Sequence, residues 1–273
     1  MTERDIIERT ERANTIETLS SELRSLGVAP GMVLLVHASL SSIGWVCGGA
    51  VAVIRALERV LGPEGTLVMP TMSGDLTDPR DWQHPPVPES WKETIRACAP
   101  PFEANVTPSR SMGAIAETFR TMPGVLRSNH PHCSFAALGR HAARVTARHE
   151  LDFGLGEGSP LARIYDLDGR VLLLGVGHAN NSSLHLAEYR TDYPGKKELP
   201  NGAPLLINGE RRWVEVRDLD LDADDFETIG AALEGDSDCV QIGRVGLAES
   251  RLIPQRTLVD FACRWMSAHR SAG

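Results

Sequence analysis

Residues 171–190, with the sequence VLLLGVGHANNSSLHLAEYR, decide the fold of this chain. The stretch begins with four apolar residues followed by two nearby glycines, and a short apolar run of this kind is typical of a buried strand. Asn and Ser side chains that can cap a helix come next, and good helix formers continue to residue 190. The pattern predicts a strand, a tight turn and a helix. The polar turn lies at the carboxyl end of the strand, where α/β proteins commonly place their sites.

The same alternation of apolar strands and amphipathic helices occurs on both sides of this stretch. Two strands at 32–36 and 65–69, joined by a helix over 50–61, have the spacing of a parallel βαβ unit. The sequence therefore predicts an α/β protein with helices on both faces of a sheet. Further helices are predicted over 15–27, 112–122, 139–149, 160–165, from 222 or 224 to 233, and 256–266, with a strand at 134–138 and a strand or extended arm within 240–253.

Two segments depart from this alternation. The sequence APLLINGERRWVEV, residues 203–216, has Asn-Gly between alternating apolar positions, which is the strongest local signal for a β-hairpin. Residues 70–110 contain eight prolines and no sustained periodicity. A long irregular stretch of this kind is often functional, and we expect a substrate-side flap. We predict a single domain over residues 1–273 with a Pro-rich insertion at about 70–110.

Composition narrows the classes of function. The 273 residues are 42% hydrophobic and 23% charged, with a formal net charge of −8, which argues against nucleic acid or an anionic membrane as the main partner and permits a cationic ligand. The five cysteines form no CxxC pair, so neither a zinc knuckle nor a disulfide framework is indicated. The charged N-terminus lacks the apolar core of a signal peptide, and no apolar run is long enough to span a membrane, so we expect a cytoplasmic protein.

The predicted helix after the turn contains a candidate catalytic pair. His185 and Glu188 are three residues apart and share one helix face, and Asn181 lies four residues before the histidine on the same side. A carboxylate that orients a histidine ring holds a general base in one tautomer. The same spacing also fits a half-buried helix residue with a surface neighbour, so both interpretations remain open at this point.

Other polar clusters are weaker signals. Residues 37–50, HASLSSIGWVCGGA, place hydroxyls and glycines between a strand and a helix, an arrangement that suits a phosphate group but also a simple packing turn. The segment matches neither a dinucleotide fingerprint nor a P-loop. The spacing of His130, His132 and His178 fits no zinc pattern. In the acidic run over 215–227, most carboxylates are expected in solvent, and Asp220 is the preferred candidate for facing the histidine or a cationic substrate.

Taken together, these segments resemble the aminoglycoside 3-N-acetyltransferase family, the acetyl-CoA-dependent antibiotic N-acetyltransferases. The resemblance extends over residues 19–266, and the blocks occur in family order. They are LGVAPGMVLLVHASLSSIG, LGPEGTLVMPT, RSNHPHCSFAALG, GEGSPLARI, LDGRVLLLGVGHANNSSLHLAE and VGLAESRLI. The resemblance implies a three-layer α/β/α fold with a central mixed, largely parallel sheet and a hairpin in the C-terminal third. This fold is distinct from the common acetyltransferase fold.

The resemblance also implies roles for individual residues. It makes His185 the catalytic residue, with Glu188 as its support and a carboxylate at the hairpin exit as a second acidic partner; this maps onto Asp220, with Asp222 and Asp225 as alternatives. Asp222, Asp225 and Asn181 are the expected substrate-binding residues. The implied acetyl-coenzyme A site consists of His37, Ala38, Ser39, Leu40, Ser42, Gly44, Ser128 and His130.

The expected reaction is direct attack of an aminoglycoside amine on the thioester, with His185 accepting a proton and no covalent enzyme intermediate. Residues 70–110 do not align with the family, so an N-acetyltransferase of another amine is an alternative. A metal- or water-dependent hydrolase using His185 and Glu188 and a non-catalytic binder of coenzyme A are further alternatives. The expected partners are acetyl-CoA and a cationic aminoglycoside, with no metal, and a homodimer is compatible with the sequence.

Overall fold

The computed structural model describes residues 2–270, and its main feature is a mixed sheet of seven strands in the order β3-β4-β2-β1-β5-β9-β8. Strands β6 and β7 form a separate hairpin. The strands are β1 (Val33–Ala38), β2 (Thr66–Pro70), β3 (Leu126–Arg127), β4 (Phe135–Gly139), β5 (Arg170–Leu174), β6 (Glu198–Ile207), β7 (Glu210–Leu219), β8 (Gln241–Val245) and β9 (Ala248–Pro254).

The sheet is parallel at its centre and antiparallel at its edges. Strand β1 pairs in parallel with β2 on one side and with β5 on the other. The outer pairs β2–β4, β3–β4, β5–β9 and β8–β9 are antiparallel. The predicted mixed sheet is confirmed. Strand β5 is the apolar run predicted at residues 171–174.

Helices cover both faces of the sheet. Within residues 2–270 they are α1 (Glu3–Arg9), α2 (Ile16–Ser25), α3 (Leu40–Ile43), α4 (Gly49–Leu61), α5 (Glu89–Cys98), α6 (Gly113–Arg120), α7 (Ala142–Thr146), α8 (Pro160–Asp166), α9 (Ser183–Arg190), α10 (Phe226–Asp236) and α11 (Gln255–His269). Helix α9 follows β5 as predicted. The structure does not describe residues 1 and 271–273.

Alternate residues of the central strand belong to different cores, which is what a strand buried on both sides requires. Leu34 and Val36 pack into the core beneath α2, α4 and α6. Val33 and Leu35 pack into the core beneath α7 to α11. Two apolar layers separated by one sheet make the predicted three-layer α/β/α arrangement, which is thereby confirmed.

The hairpin and the Pro-rich segment are connected to each other. Asn208 and Gly209 both have positive φ angles, 54° and 82°, as a two-residue turn of the predicted hairpin requires. Residues 70–110 are less irregular than expected because they contain helix α5, which prolines flank on both sides. Arg211 of the hairpin donates to the carbonyl oxygen of Ala99 at the end of this helix.

A small third core also joins these two segments. It consists of Leu76 and Phe102 from the Pro-rich segment and Leu205 from β6. The guanidinium of Arg127 lies 5.1 Å from the Phe102 ring and donates to the carbonyl oxygen of Ala104 at 3.1 Å. The segment is therefore tied to the body of the protein at several points.

Several other boundaries differ from the prediction, and the helix predicted over 139–149 is reduced to Ala142–Thr146 because Gly139 belongs to β4. The arm predicted within 240–253 consists of two paired strands, β8 and β9. Helix α10 begins at Phe226 rather than two to four residues earlier, because Asp222 and Asp225 make contacts outside the helix. Among residues 2–270, no helix combines the length and apolar character that crossing a bilayer demands.

Two glycines of helix α10 allow a matched test of its packing. A Cβ atom at Gly230 would overlap the imidazole of His178, whereas one at Gly235 would meet no atom within 4 Å. We expect Gly230→Ala to lower the free energy of unfolding by about 1–3 kcal/mol through overpacking. Gly235→Ala should raise it by about 0.5–1 kcal/mol, because alanine favours a helix. Urea denaturation of both variants checks this, and equal effects at the two positions would contradict the described packing.

Candidate active site

A cleft of about 550 Å³ opens at the carboxyl ends of the three parallel strands β1, β2 and β5. Parallel strands end at the same edge of a sheet, so residues distant in the sequence meet there. The segments before α6 and α9 close the other sides of the cleft. Six of the predicted site residues line it, namely His37, Ala38, Ser39, Leu40, Asn181 and His185.

His185 and Glu188 form a hydrogen-bonded pair at this cleft. Nδ1 of His185 lies 2.6 Å from Oε2 of Glu188, and the His185 ring packs against Phe226 at a centroid distance of 4.8 Å. An ionised carboxylate only accepts, so Nδ1 carries the proton and Nε2 of the neutral ring has a free lone pair. Within residues 2–270, Nε2 makes no hydrogen bond, and the side chain is 20% exposed. The arrangement presents a proton acceptor to the cleft.

Glu188 is fully buried, and three donors surround its carboxylate. Besides Nδ1 of His185, the amide nitrogen of Asp222 lies 3.0 Å and Nη1 of Arg270 lies 2.7 Å from Oε1. A buried carboxylate is costly unless donors and an opposite charge compensate it. Glu188 is therefore not the surface neighbour that the alternative interpretation of this pair assumed.

Arg270 is itself held in place by several contacts. It donates to both carboxylate oxygens of Asp225 at 2.8 Å and to the carbonyl oxygen of Asp222, and it lies 4.8 Å from the Tyr193 ring centroid. Burial opposes its charged form, but the hydrogen bonds to Asp225 and Glu188 outweigh this and raise the pKa of Arg270. A permanent cation thus lies behind the His185–Glu188 pair.

Two buried polar atoms at the cleft lack partners among the described residues. These are Nε2 of His37 and Nδ2 of Asn181. Burial, together with the nearby His185, lowers the pKa of His37 to about 3, so the His37 ring is neutral. Oδ1 of Asn181 accepts from the amide of Ser183 at 3.2 Å, which fixes the amide group just before α9. Unpaired groups of this kind at a cleft wall suit contacts to a ligand.

The structure does not bring Asp220 to the histidine. Its side chain is 48% exposed, pairs with Lys197 at 3.3 Å and does not line the cleft. Asp222 reaches Glu188 through its backbone amide instead of its carboxylate. The carboxylate of Asp225 binds Arg270. The groups that complete the pair are thus an amide and a guanidinium.

Four residues of the expected coenzyme site lie outside this cleft. Oγ of Ser42 donates to Oγ of Ser39 at 2.9 Å, and Gly44 borders a smaller neighbouring cavity. Ser128 is fully buried and accepts from the amide of Phe135. His130 is also fully buried, and its Nδ1 accepts from two backbone amides in the loop before β4. The contacts of Ser128 and His130 brace that loop.

His178, one of the histidines considered as metal ligands, pairs with a carboxylate other than Glu188. Its Nε2 lies 2.9 Å from Oε1 of Glu234 on α10, and the ring is buried against that helix. In the part of the chain that is described, no group of three or more His, Cys, Asp or Glu side chains has the arrangement of a metal site.

Sequence reasoning missed Arg270 and the start of α6. Arg270 is one of many arginines in the chain, and nothing in its neighbours points to Glu188, 82 positions earlier. The start of α6 consists of small and apolar residues from Ser111 to Ala116, which carry no chemical signature. Both become visible only through tertiary contacts.

A histidine held by a buried carboxylate, in a polar cleft at the strand ends of an α/β sheet, is an arrangement typical of enzyme active sites. The family model of aminoglycoside 3-N-acetyltransferase matches residues 35–267. The SPbeta prophage-derived aminoglycoside N(3')-acetyltransferase-like protein YokD of Bacillus subtilis (strain 168) is 46% identical over 261 residues, covering 95% of each chain.

Solved structures agree with this match. The crystal structure of YokD from Bacillus subtilis superimposes with a TM-score of 0.95 at 44% identity, covering 97% of this chain and 98% of that one. AAC-IIIb in binary complex with CoASH has a TM-score of 0.84 at 31% identity, with 96% and 99% coverage. AAC-VIa bound to sisomicin has a TM-score of 0.85 at 32% identity, with 96% and 100% coverage. The chain belongs to the aminoglycoside 3-N-acetyltransferase family, a family of acyltransferases.

The contacts of Glu188 and Asp220 predict different effects of matched substitutions. Glu188→Gln presents an amide to Nδ1 of His185, which disfavours the tautomer with a free Nε2, and we expect the acetylation rate to fall by about a hundredfold or more. Asp220→Asn removes only an exposed ion pair, and we expect less than about a threefold change. Steady-state kinetics on both variants check this. A larger loss for Asp220→Asn than for Glu188→Gln would restore Asp220 as the partner of the histidine.

The neutral state of His37 predicts a pH dependence of stability. Its pKa is about 3 in the folded chain and 6.5 in the reference state, so the unfolded chain binds an additional proton as the pH falls below 6.5. From pH 7 to pH 5, His37 should therefore cost about 2 kcal/mol of unfolding free energy, and His37→Gln should reduce the loss over that interval by about this amount. Urea denaturation at the two pH values measures it. If His37→Gln loses as much unfolding free energy between pH 7 and pH 5 as the wild type does, His37 is charged in the folded protein at pH 5.

Proposed function

We propose that this chain transfers the acetyl group of acetyl-coenzyme A to the 3-amino group of an aminoglycoside, with His185 as the general base. The observation that carries the proposal is the 2.6 Å contact between Nδ1 of His185 and buried Glu188, which leaves Nε2 as a proton acceptor at the cleft. Family membership supplies the reaction class, and the relatives with bound CoASH and sisomicin support the two ligands.

The cleft has features that fit the acetyl donor. At the cleft the chain passes from β1 through Ser39 into α3, where the amides of Leu40 and Ser41 have no acceptor within the helix. Nε2 of His37 and Nδ2 of Asn181 add two unpaired donors or acceptors in the cleft wall. We assign Ala38, Ser39 and Leu40 to the donor side on this basis. When bound, acetyl-coenzyme A supplies a thioester carbonyl as the electrophile.

The charge of the chain fits a polycationic acceptor. A formal net charge of −8 attracts amine cations at long range. Asn181 borders the cleft directly and stays a candidate for contact with the acceptor. Asp222 and Asp225 stay candidates as well, although each already contributes to the network around Glu188 and Arg270.

His185 has one task in the proposed reaction. Its Nε2 accepts a proton from the acceptor nitrogen while that nitrogen forms a C–N bond to the thioester carbonyl. Glu188 accepts the Nδ1 hydrogen bond and stabilises the imidazolium through its negative charge. When the C–S bond breaks, His185 returns the proton to the departing sulfur, so the products are an amide and a free thiol. The imidazole is then neutral again for the next turnover.

We expect His185→Ala to lower kcat by about 10²–10⁴-fold, because a positioned general base contributes about that much. Thiol release from acetyl-CoA across a panel of aminoglycosides and simple polyamines measures the reaction. His141→Ala, which changes a histidine at the start of α7, is the matched control and should retain full activity.

Binding of acetyl-CoA by calorimetry separates the outcomes. An inactive His185→Ala variant that binds acetyl-CoA with wild-type affinity supports the role of the base. Full activity in that variant would refute it. Turnover restricted to non-aminoglycoside amines would keep the mechanism and replace the acceptor.

A further inference from the structure

We propose that Arg270 is a positioning residue that sets the pH range in which His185 acts as a base. The inference rests on the proposed role of His185. Arg270 does not line the cleft. It is connected to His185 through Glu188, which both residues contact.

The first observation is that His185 and Arg270 share one carboxylate. Nδ1 of His185 binds Oε2 of Glu188, and Nη1 of Arg270 binds Oε1 at 2.7 Å. Glu188 is fully buried and the side chain of Arg270 is only 10% exposed, so water screens this contact weakly. The negative charge that would stabilise an imidazolium is thus already partly neutralised by the guanidinium.

The second observation is that contacts other than the one with Glu188 hold Arg270 in place. Asp225 holds it through two hydrogen bonds of 2.8 Å, and the Tyr193 ring lies 4.8 Å from its guanidinium carbon. Two-point binding to a carboxylate fixes the orientation of an arginine as well as its position. The cation therefore acts as a constant part of the site.

Counting charges gives the sign of the effect. Glu188, Asp225 and Arg270 together carry −1, and protonating His185 brings the cluster to zero. Without the guanidinium the same cluster carries −2, which favours the imidazolium and would keep the base protonated up to higher pH. Without the carboxylate of Asp225 it carries zero, and protonation becomes less favourable.

Other titratable groups face this cluster from the packed elements. His37 on β1 is neutral and adds no charge. The phenol of Tyr193, after α9, is neutral near pH 7 because burial, followed by the Glu188 charge, raises its pKa. The loop before α10 contributes Asp222, whose carboxylate accepts from the amide of Asp224, and α11 contributes His269, stacked on Trp265. These groups stay the same in the variants that follow.

Removing the charge of Arg270 and removing the charge of its partner Asp225 should shift the pH profile of kcat/KM in opposite directions, which tests the proposal. In Arg270→Gln, the acid limb of the kcat/KM profile should move to higher pH by about one unit. At pH values below the limb, the decrease in kcat/KM relative to the wild type should then be about tenfold greater than the decrease on the alkaline plateau. In Asp225→Asn, the limb should move to lower pH by about half a unit. Arg270→Lys, which keeps the charge, should leave the limb near its wild-type position.

Arg190→Gln is the matched control. Arg190 binds Glu157 through two hydrogen bonds of 2.6 and 2.9 Å and lies 4.1 Å from the Tyr165 ring centroid. Its surroundings resemble those of Arg270, but its ion pair does not include Glu188. This variant should lower thermal stability without moving the acid limb.

NMR titration of the His185 ring supplies a readout that does not depend on turnover. The His185 resonance is assigned from its absence in His185→Gln, and its midpoint should rise in Arg270→Gln and fall in Asp225→Asn. Equal losses at all pH values, or shifts of the same sign in both variants, would overturn the proposal. If the NMR midpoints move as stated while His185→Ala keeps full activity, the electrostatic coupling stands and the role of His185 as the base fails.

Discussion

The buried carboxylate of Glu188 is the constraint on which the rest of the site depends. A charge removed from water must be matched by donors, and here a side chain, a backbone amide and a guanidinium provide them. These three donors come from α9, from the loop before α10 and from the chain after α11. The position of each element relative to the others is therefore coupled to one ionised group. Loss of any one donor leaves the other two facing an undercompensated charge.

The sheet supplies the geometry that this group needs. Strands β1 and β5 are adjacent and parallel, so His37 and the turn after Leu174 lie at one edge although more than 130 positions separate them. The antiparallel strands β9 and β4 flank the parallel centre and bury it. Helix α9 begins directly at that edge. Its first turns face the cleft while Leu184 and Leu186 pack into the core behind it.

Local patterns predicted the local parts of the site. The His185–Glu188 pair is three residues apart on one helix, and the Asn208-Gly209 turn encodes its hairpin, so both are confirmed as structure. Asp220 pairs with Lys197 instead of the histidine, and the exit of β7 alone does not say that a backbone amide of this segment reaches Glu188. Arg270 could not be found, since its contact with Glu188 depends on how α11 packs. Helix α5 was not predicted because its amphipathic pattern is short and prolines flank it on both sides.

The small core of Leu76, Phe102 and Leu205 has a consequence for how relatives of this enzyme can diverge. It joins the Pro-rich segment to the hairpin and shares no buried residue with the two large cores around the sheet. A substitution at Leu76, Phe102 or Leu205 therefore removes no member of the two cores that contain β1, β5 and α9. Sequence change at this corner is thus separated in packing from the His185–Glu188 pair.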